Sequence, residues 1–261
     1  MLNSNPLLSE STFRSDTTTY QTQSVMTVQG AMFKTCILLA ILIATATLTW
    51  AKAASAAGAG AEGIEAARQA FQAISHWFYI GIFGGLILAI FTCIAKKASP
   101  ITAPMYAAFE GLFLGGFSCY INTISPGVAA QAIAATFAVF AVMLVIYSTR
   151  IIPVTNTFVA VISTATAGLF LFYLVAFICS FFGTYFSILS IHNSSPISIG
   201  FSVIVVILAS LNLLVDFRMI EDGANAQAPK YMEWYSAFAL MVTLVWLYIE
   251  ILRLLAKLQK R

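Results

Sequence analysis

The chain has 261 residues, of which 60% are hydrophobic and only 9% are charged. Soluble domains carry about 25% charged residues, so this composition excludes an ordinary globular protein and indicates one that lies in a lipid bilayer. The formal net charge of +3 is small. We expect neither a cofactor nor a nucleic-acid partner.

The first segment of the chain, residues 1–30, is polar and rich in Ser, Thr and Gln. A segment with so few apolar residues cannot bury enough surface to fold by itself. We therefore predict a flexible polar N-terminal tail over residues 1–30. The connectors between the later apolar segments are short, which predicts a single membrane domain over residues 31–258.

Seven long apolar runs follow the tail. A helix crosses the hydrocarbon core of a bilayer in about 20 residues, whereas the strands of a membrane barrel alternate in polarity over about ten residues. These runs are long and uniformly apolar, which predicts an all-α membrane protein, a bundle of seven transmembrane helices. The runs cover residues 31–51, 74–95, 102–121, 128–149, 154–182, 197–217 and 234–256.

Two pairs of glycines lie four residues apart in the second and third runs. They are Gly81 with Gly85, and Gly111 with Gly115. This spacing places both glycines of a pair on one helix face, where neighbouring backbones can approach closely. We interpret both pairs as helix-packing sites within one chain and keep a dimer interface as the alternative.

The four cysteines fall inside apolar runs and have neither CxxC spacing nor the spacing of metal ligands. Small apolar packing residues are the simplest interpretation, so we expect no disulfide framework. No metal site can be assigned from the sequence. The chain also lacks HExxH, GxSxG and nucleotide-loop motifs, and we do not expect an enzyme.

Three acidic residues lie in or at the edge of the apolar runs: Glu110, Asp216 and Glu250. A charged side chain near the bilayer centre costs at least about 2.5–3.5 kcal/mol on insertion scales, so it needs a partner, a water-filled cavity or a function. Structural explanations remain open for each. Glu110 can be a hydrogen-bonded packing residue, Asp216 an interfacial carboxylate at a helix end, and Glu250 the partner of Arg253, three residues on.

With alternating span directions, Asp216 is expected near the cytoplasmic face, Glu110 near mid-membrane and Glu250 toward the outside. Acids at neighbouring depths would then lie about 12 Å apart along the membrane normal. Glu233 is the carboxylate expected at the level of Asp216, and Thr243 faces the same way as Glu250. We hypothesise that the three acids form a ladder along a water-containing pathway for protons or a cation.

The distribution of basic residues predicts the orientation. Positive charges concentrate on cytoplasmic loops of membrane proteins, and one predicted face carries most of them, which favours a cytoplasmic N-terminus. Four basic residues after position 252 favour the opposite orientation, because seven spans place the two ends of the chain on opposite faces. The cation-rich face carries Arg14, Lys34, Lys96, Lys97, Arg150, Arg218 and Lys230, against Lys52 and Arg68 on the opposite loops.

The last two runs contain "DFRMIEDGANAQAPKYMEWYSAFALMVTLVWLYIEILRLLAKL", and the third contains "APMYAAFEGLFLGG". Together with the N-terminal "MTVQGAMFKTCILLAILI", these stretches resemble the Bax inhibitor 1 family in its bacterial branch. The resemblance covers about residues 25–258. It implies a seven-helix bundle with the C-terminal helix central, located in a bacterial cytoplasmic (inner) membrane.

The resemblance also implies two functions. Members of the family are linked to a pH-sensitive Ca²⁺ leak, and a bacterial member is known as a modulator of a membrane AAA protease. In the leak proteins, an aspartate on helix six shares protons with one on helix seven. Asp216 matches the first, but Met241 or Thr243 stands where the second belongs. We therefore expect a cation leak or ion-homeostasis protein, with a non-conducting regulator of membrane proteases as the alternative.

Overall fold

The structure, a computed structural model, describes residues 25–56 and 63–260. Within these ranges the chain forms seven long α-helices, two short 3₁₀ turns and no β-strand. A single isolated bridge pairs Val25 with Pro229. The helices are α1 Val28–Ala56, α2 Gly63–Ile94, α3 Ser99–Ile124, α4 Val128–Ser148, α5 Asn156–Phe181, α6 Pro196–Asn225 and α7 Met232–Gln259.

Six of the seven helices are long and apolar enough to cross a membrane. The exception is α3, which has 26 residues and is long enough, but is rich in Gly, Ser, Ala and Thr. These small residues let α3 pack against α1, α2 and α7, so much of its surface faces protein and does not need the hydropathy of a lipid-facing helix. The prediction of an all-α bundle of seven helices is confirmed.

Helix α7 lies at the centre of the bundle. Half of its most apolar 18-residue window is buried, compared with 11–39% for the other five helices that meet the same length and hydropathy. It packs against α1, α3, α4 and α6, and Tyr173 of α5 reaches it through a hydrogen bond. The central C-terminal helix that the family resemblance implies is therefore present, with α2 packed mainly on α3 and α1.

The glycine pair of α3 faces α1. A Cβ atom on Gly115 would lie 2.2 Å from the carbonyl oxygen of Ala46, and one on Gly111 would lie 2.4 Å from that of Leu42. Backbone atoms cannot move aside as a flexible side chain can. Only glycine therefore permits the observed contact between α1 and α3.

The glycine pair of α2 faces α3. A Cβ on Gly81 would lie 2.8 Å from the carbonyl oxygen of Phe109, and one on Gly85 would lie 3.2 Å from Oε2 of Glu110. All four glycines thus take part in contacts within this one chain.

Two segment boundaries differ from the predicted ones. The sequence predicts a tail that extends to residue 30, but α1 begins at Val28 and the Met26 amide donates to the Ala228 carbonyl at 2.7 Å. The apolar run predicts a sixth span that ends at residue 217, but α6 continues to Asn225. Polar residues after 217 can extend a helix past the hydrocarbon, and hydropathy alone marks only its apolar part. Residues 1–24 of the predicted tail lie outside the described ranges.

Candidate functional site

Asp216 lies inside α6, nine residues before its end at Asn225, or about 14 Å along the helix. It faces α7, where Thr243 is its side-chain neighbour; the Thr243 hydroxyl itself donates to the Ala239 carbonyl at 3.4 Å. Its Oδ2 atom is buried without a hydrogen-bond partner, the one such side-chain oxygen or nitrogen in the described part of the chain. A buried carboxylate oxygen without a partner costs more free energy than a paired one.

The structure decides which residue of α7 faces Asp216. Met241 is fully buried in an apolar cluster with Leu38 and Tyr106. Two residues along a helix turn the side chain by about 200°, so Thr243 points to the other side of α7, toward α6. Of the two residues that the family resemblance left open, Thr243 and not Met241 therefore faces Asp216.

Glu110 lies at a different interface. Its Oε2 atom lies against Gly85 of α2, and the side chain of Tyr106, one turn earlier on α3, lies beside it. The Tyr106 ring in turn packs edge-on against Phe238 of α7, with 5.0 Å between ring centroids. Glu110 is thus placed between α2 and α3, with Tyr106 between it and the central helix.

Glu250 is buried and paired. The Tyr173 hydroxyl of α5 donates to its Oε1 at 2.9 Å, and Arg253 forms an ion pair with the same oxygen at 3.2 Å. The second guanidinium nitrogen of Arg253 donates to the Leu189 carbonyl at 2.6 Å. The local pair with Arg253 that the sequence left open is therefore observed, and it joins α5, α7 and the α5–α6 connection.

Lys257 is a buried charge that the sequence analysis did not single out. Only 1% of this residue is exposed. Its ammonium donates to the carbonyls of Ile188 and Ser198 at 3.1 and 3.3 Å and to the Ser202 hydroxyl at 2.9 Å. The signal was present in the sequence, because Thr243, Glu250 and Lys257 recur every seven residues and so share one face of α7.

Glu233 anchors the start of α1. Its Oε1 accepts hydrogen bonds from the Thr27 amide and hydroxyl, both at 2.9 Å, and an ion pair from Lys230 at 2.8 Å. Its Oε2 pairs with Lys34. The carboxylate is 1% exposed, and a Cβ on Gly30 would lie 2.2 Å from Oε1. With this many partners, Glu233 serves to fix α1 to α7.

The depths of these acids differ from the predicted ladder. Ser99 donates to the Tyr231 carbonyl at 3.0 Å, which places the starts of α3 and α7 at the same level. Glu110 and Thr243 each lie eleven residues after those starts, about 16 Å in. Asp216, beside Thr243, is therefore near the depth of Glu110 and not close to one membrane face, because α6 continues to Asn225.

The acids consequently do not line up in one pathway. Glu250 lies seven residues beyond Thr243, or about 10 Å further along α7, while Glu233 lies ten residues before Thr243 and is not at the level of Asp216. Glu110 sits between α2 and α3, Asp216 between α6 and α7, and Glu250 between α5 and α7. The structure brings together Asp216 with Thr243, and leaves the other acids at separate interfaces.

The described residues contain no group of three or more His, Cys, Asp or Glu side chains that could hold a metal ion. Ca²⁺ takes six to eight oxygen ligands, and one carboxylate with one hydroxyl is far short of that number. The oxygen donors of the α6–α7 site are thus one carboxylate and one hydroxyl.

The sequence model of the family described as Bax inhibitor 1 like matches residues 5–260, nearly the whole chain. Neither a curated protein nor a solved structure shows a significant match to the chain.

Proposed function

The chain belongs to the Bax inhibitor 1-like family, and from this premise we propose that it is an ion-homeostasis protein that lets protons or a cation such as Ca²⁺ leak across a membrane. Asp216 is the residue at which the moving ion or proton binds. Thr243 supplies the second oxygen of this site.

The burial of Asp216 Oδ2 without a hydrogen-bond partner supports this proposal. An acid inside a membrane helix that serves only packing is expected to be paired, as Glu250 is with Tyr173 and Arg253. Asp216 has no such ion pair, so burying its carboxyl group lowers the stability of the fold. A function in which Oδ2 binds an ion or a proton best explains why an acid is found here. A proton or a cation is the ligand that an uncompensated carboxylate oxygen attracts.

Thr243 changes the expected response to pH. Two adjacent carboxylates share a proton, because both cannot be ionised cheaply at once. The Thr243 hydroxyl carries no charge and cannot take part in such sharing. The pH sensitivity of this chain therefore depends on a single carboxylate, and we expect a shallower dependence on pH than an aspartate pair would give.

The bacterial inner membrane, with a cytoplasmic N-terminus, is the proposed location. The end of the bundle at which α1 starts carries Lys34, Lys96, Lys97 and Lys230, as the positive-inside rule requires of a cytoplasmic face. At the other end, Arg253 and Lys257 are bound to the α5–α6 connection. These contacts explain why Arg253 and Lys257 lie at the end of the bundle opposite the proposed cytoplasmic face.

Reconstitution into liposomes tests the leak. Vesicles loaded with a Ca²⁺ dye or a pH dye should show flux above empty vesicles between pH 5 and 8. Asp216→Asn should lower that flux about tenfold, since loss of about 1.4 kcal/mol of stabilisation at the site slows passage by that factor. Asp222→Asn is the matched control, because Asp222 lies on the same helix but is exposed.

A second variant tests the role of position 243. Thr243→Asp places a second carboxylate beside Asp216, and flux should then acquire a steeper dependence on pH. Equal pH profiles for this variant and the wild type would contradict the role given to Thr243.

Absence of flux from the wild type at every pH would contradict the leak itself. The remaining proposal would then be a non-conducting regulator of a membrane AAA protease, for which deletion of residues 2–24 should abolish the regulation. That tail lies outside the described ranges, and the proposed leak does not depend on it.

A further inference from the structure

A recess opens on the side of the bundle between α1 and α4. Both helices pack against α3 and α7 but make no substantial contact with each other. The gap between them holds a cavity of about 400 Å³, within the range typical of small-molecule sites. Its walls come from α1 and α4, and its floor comes from α3 and the central helix α7.

Small side chains create the recess. Gly115 and Ser118 of α3 form part of the floor, while Ala46 of α1 and Ala129 of α4 form part of the walls. Larger residues at these positions would fill the space that the diverging helices leave. The cavity therefore follows from the sequence at these positions as well as from the helix arrangement.

The hydroxyl groups around the recess are already satisfied. Ser118 and Tyr248 hydrogen-bond to each other at 2.7 Å. Thr47 donates to the Ile43 carbonyl at 2.7 Å, and Thr136 donates to the carbonyl one turn before it at 2.7 Å. Since a bound water needs two to four polar partners, this recess suits hydrocarbon and not water or a polar ligand.

The rim of the recess continues into the lipid-facing surface. Ile43, Ile133 and Phe137 line it and are each about half exposed, at 50%, 49% and 47%. Because α1 and α4 are both apolar enough to cross the bilayer, the opening faces lipid chains directly. Among the residues that the structure describes, no charged side chain lines this opening.

We propose that one acyl chain of a bilayer phospholipid enters between α1 and α4 and binds in this recess. The chain contacts α7 at Leu244, Val245 and Tyr248, next to Thr243 in sequence. Bound lipid thus touches the helix that carries half of the α6–α7 site. This binding does not depend on the proposed ion leak.

Quenching of Trp50 fluorescence by phospholipids with brominated acyl chains tests the proposal. Trp50 lines the recess, and its share of the signal is the difference between the wild type and Trp50→Phe. That share should be quenched by brominated phospholipid. Ala130→Phe, which fills the recess from its exposed rim, should remove most of the quenching.

Ala138→Phe is the matched control, since Ala138 is exposed on the same helix but does not line the recess. It should leave the quenching of Trp50 unchanged. Thr47→Phe fills the recess from α1 and repeats the test should Ala130→Phe fail to fold. Equal quenching in the filled variants and the control would overturn the proposal, because annular lipid alone would then explain it.

Two further outcomes would also overturn it. Quenching by brominated free fatty acid but not by brominated phospholipid would assign the recess to a different ligand. In the other outcome, Trp50 is protected from the brominated quencher only in samples that light scattering shows to be dimers. Such a result would show that a second copy of the chain covers the opening.

Discussion

Glu233 and Asp216 are both acids with buried carboxylate oxygens in membrane helices, but they differ in their partners. Glu233 at the start of α7 receives two hydrogen bonds from Thr27 and two lysine ion pairs. Asp216 near the middle of the bundle has Thr243 beside it and one oxygen without a partner. Burial alone therefore does not identify a functional acid in a membrane protein. The state of its hydrogen bonds separates a structural anchor from a candidate site.

The largest expected effect on stability is at Glu233. Glu233→Gln leaves the mostly buried Lys34 without its countercharge and breaks the ion pair of the half-exposed Lys230. Because water can hydrate Lys230 but hardly reaches Lys34, the free energy of unfolding should fall by about 3 kcal/mol. Denaturant unfolding in detergent micelles measures this change. An unfolding free energy within error of the wild type would remove the distinction between Glu233 and Asp216.

A smaller loss is expected at Glu250. In Glu250→Gln the amide can still accept from Tyr173, but the ion pair with Arg253 is lost, so we expect a decrease of about 2–3 kcal/mol. The same unfolding measurement applies, with Asp222→Asn as the exposed control. A loss no larger than that of the control would show that the Glu250 pair contributes little.

Tyr173→Phe should have an intermediate effect. It deletes one hydrogen bond to the Glu250 carboxylate and keeps the ring, so stability should fall by about 1.5 kcal/mol. The double variant with Glu250→Leu, which can accept no hydrogen bond, tests whether the two residues act together. If their effects simply add, the hydrogen bond is not what couples them.

The smallest effect on stability is expected at Asp216. Asp216→Asn removes no ion pair, and the free energy of unfolding should be unchanged or rise by up to about 1 kcal/mol. Flux in liposomes should fall nonetheless. A large loss of stability would place Asp216 among the structural acids and contradict the comparison.

Much of the architecture could be predicted because lipid leaves few alternatives. Backbone groups in hydrocarbon must be hydrogen-bonded internally, so long apolar runs become helices. The residues at which the helices end were less predictable. Residues 218–225 are too polar for a hydropathy pattern to include, yet they extend α6 and thereby move Asp216 away from the membrane face.

The site could be predicted only in part. Asp216 and Thr243 were both identified from the sequence, but their proximity depends on the register of α6 against α7. The buried Lys257 was missed because a lysine near a helix end normally reaches water. Here the α5–α6 connection folds over it, with Ile188 and Ser198 accepting its hydrogen bonds.

The amino-acid sequence by itself determined that this chain forms a bundle of membrane helices and which acids lie within them, because hydropathy and residue spacing are local properties. Only the tertiary structure decided which acids are paired, that Thr243 rather than Met241 faces Asp216, and that α1 and α4 diverge to leave a recess. These features depend on contacts between residues far apart in the chain. Such contacts are set by helix packing, which no local pattern encodes.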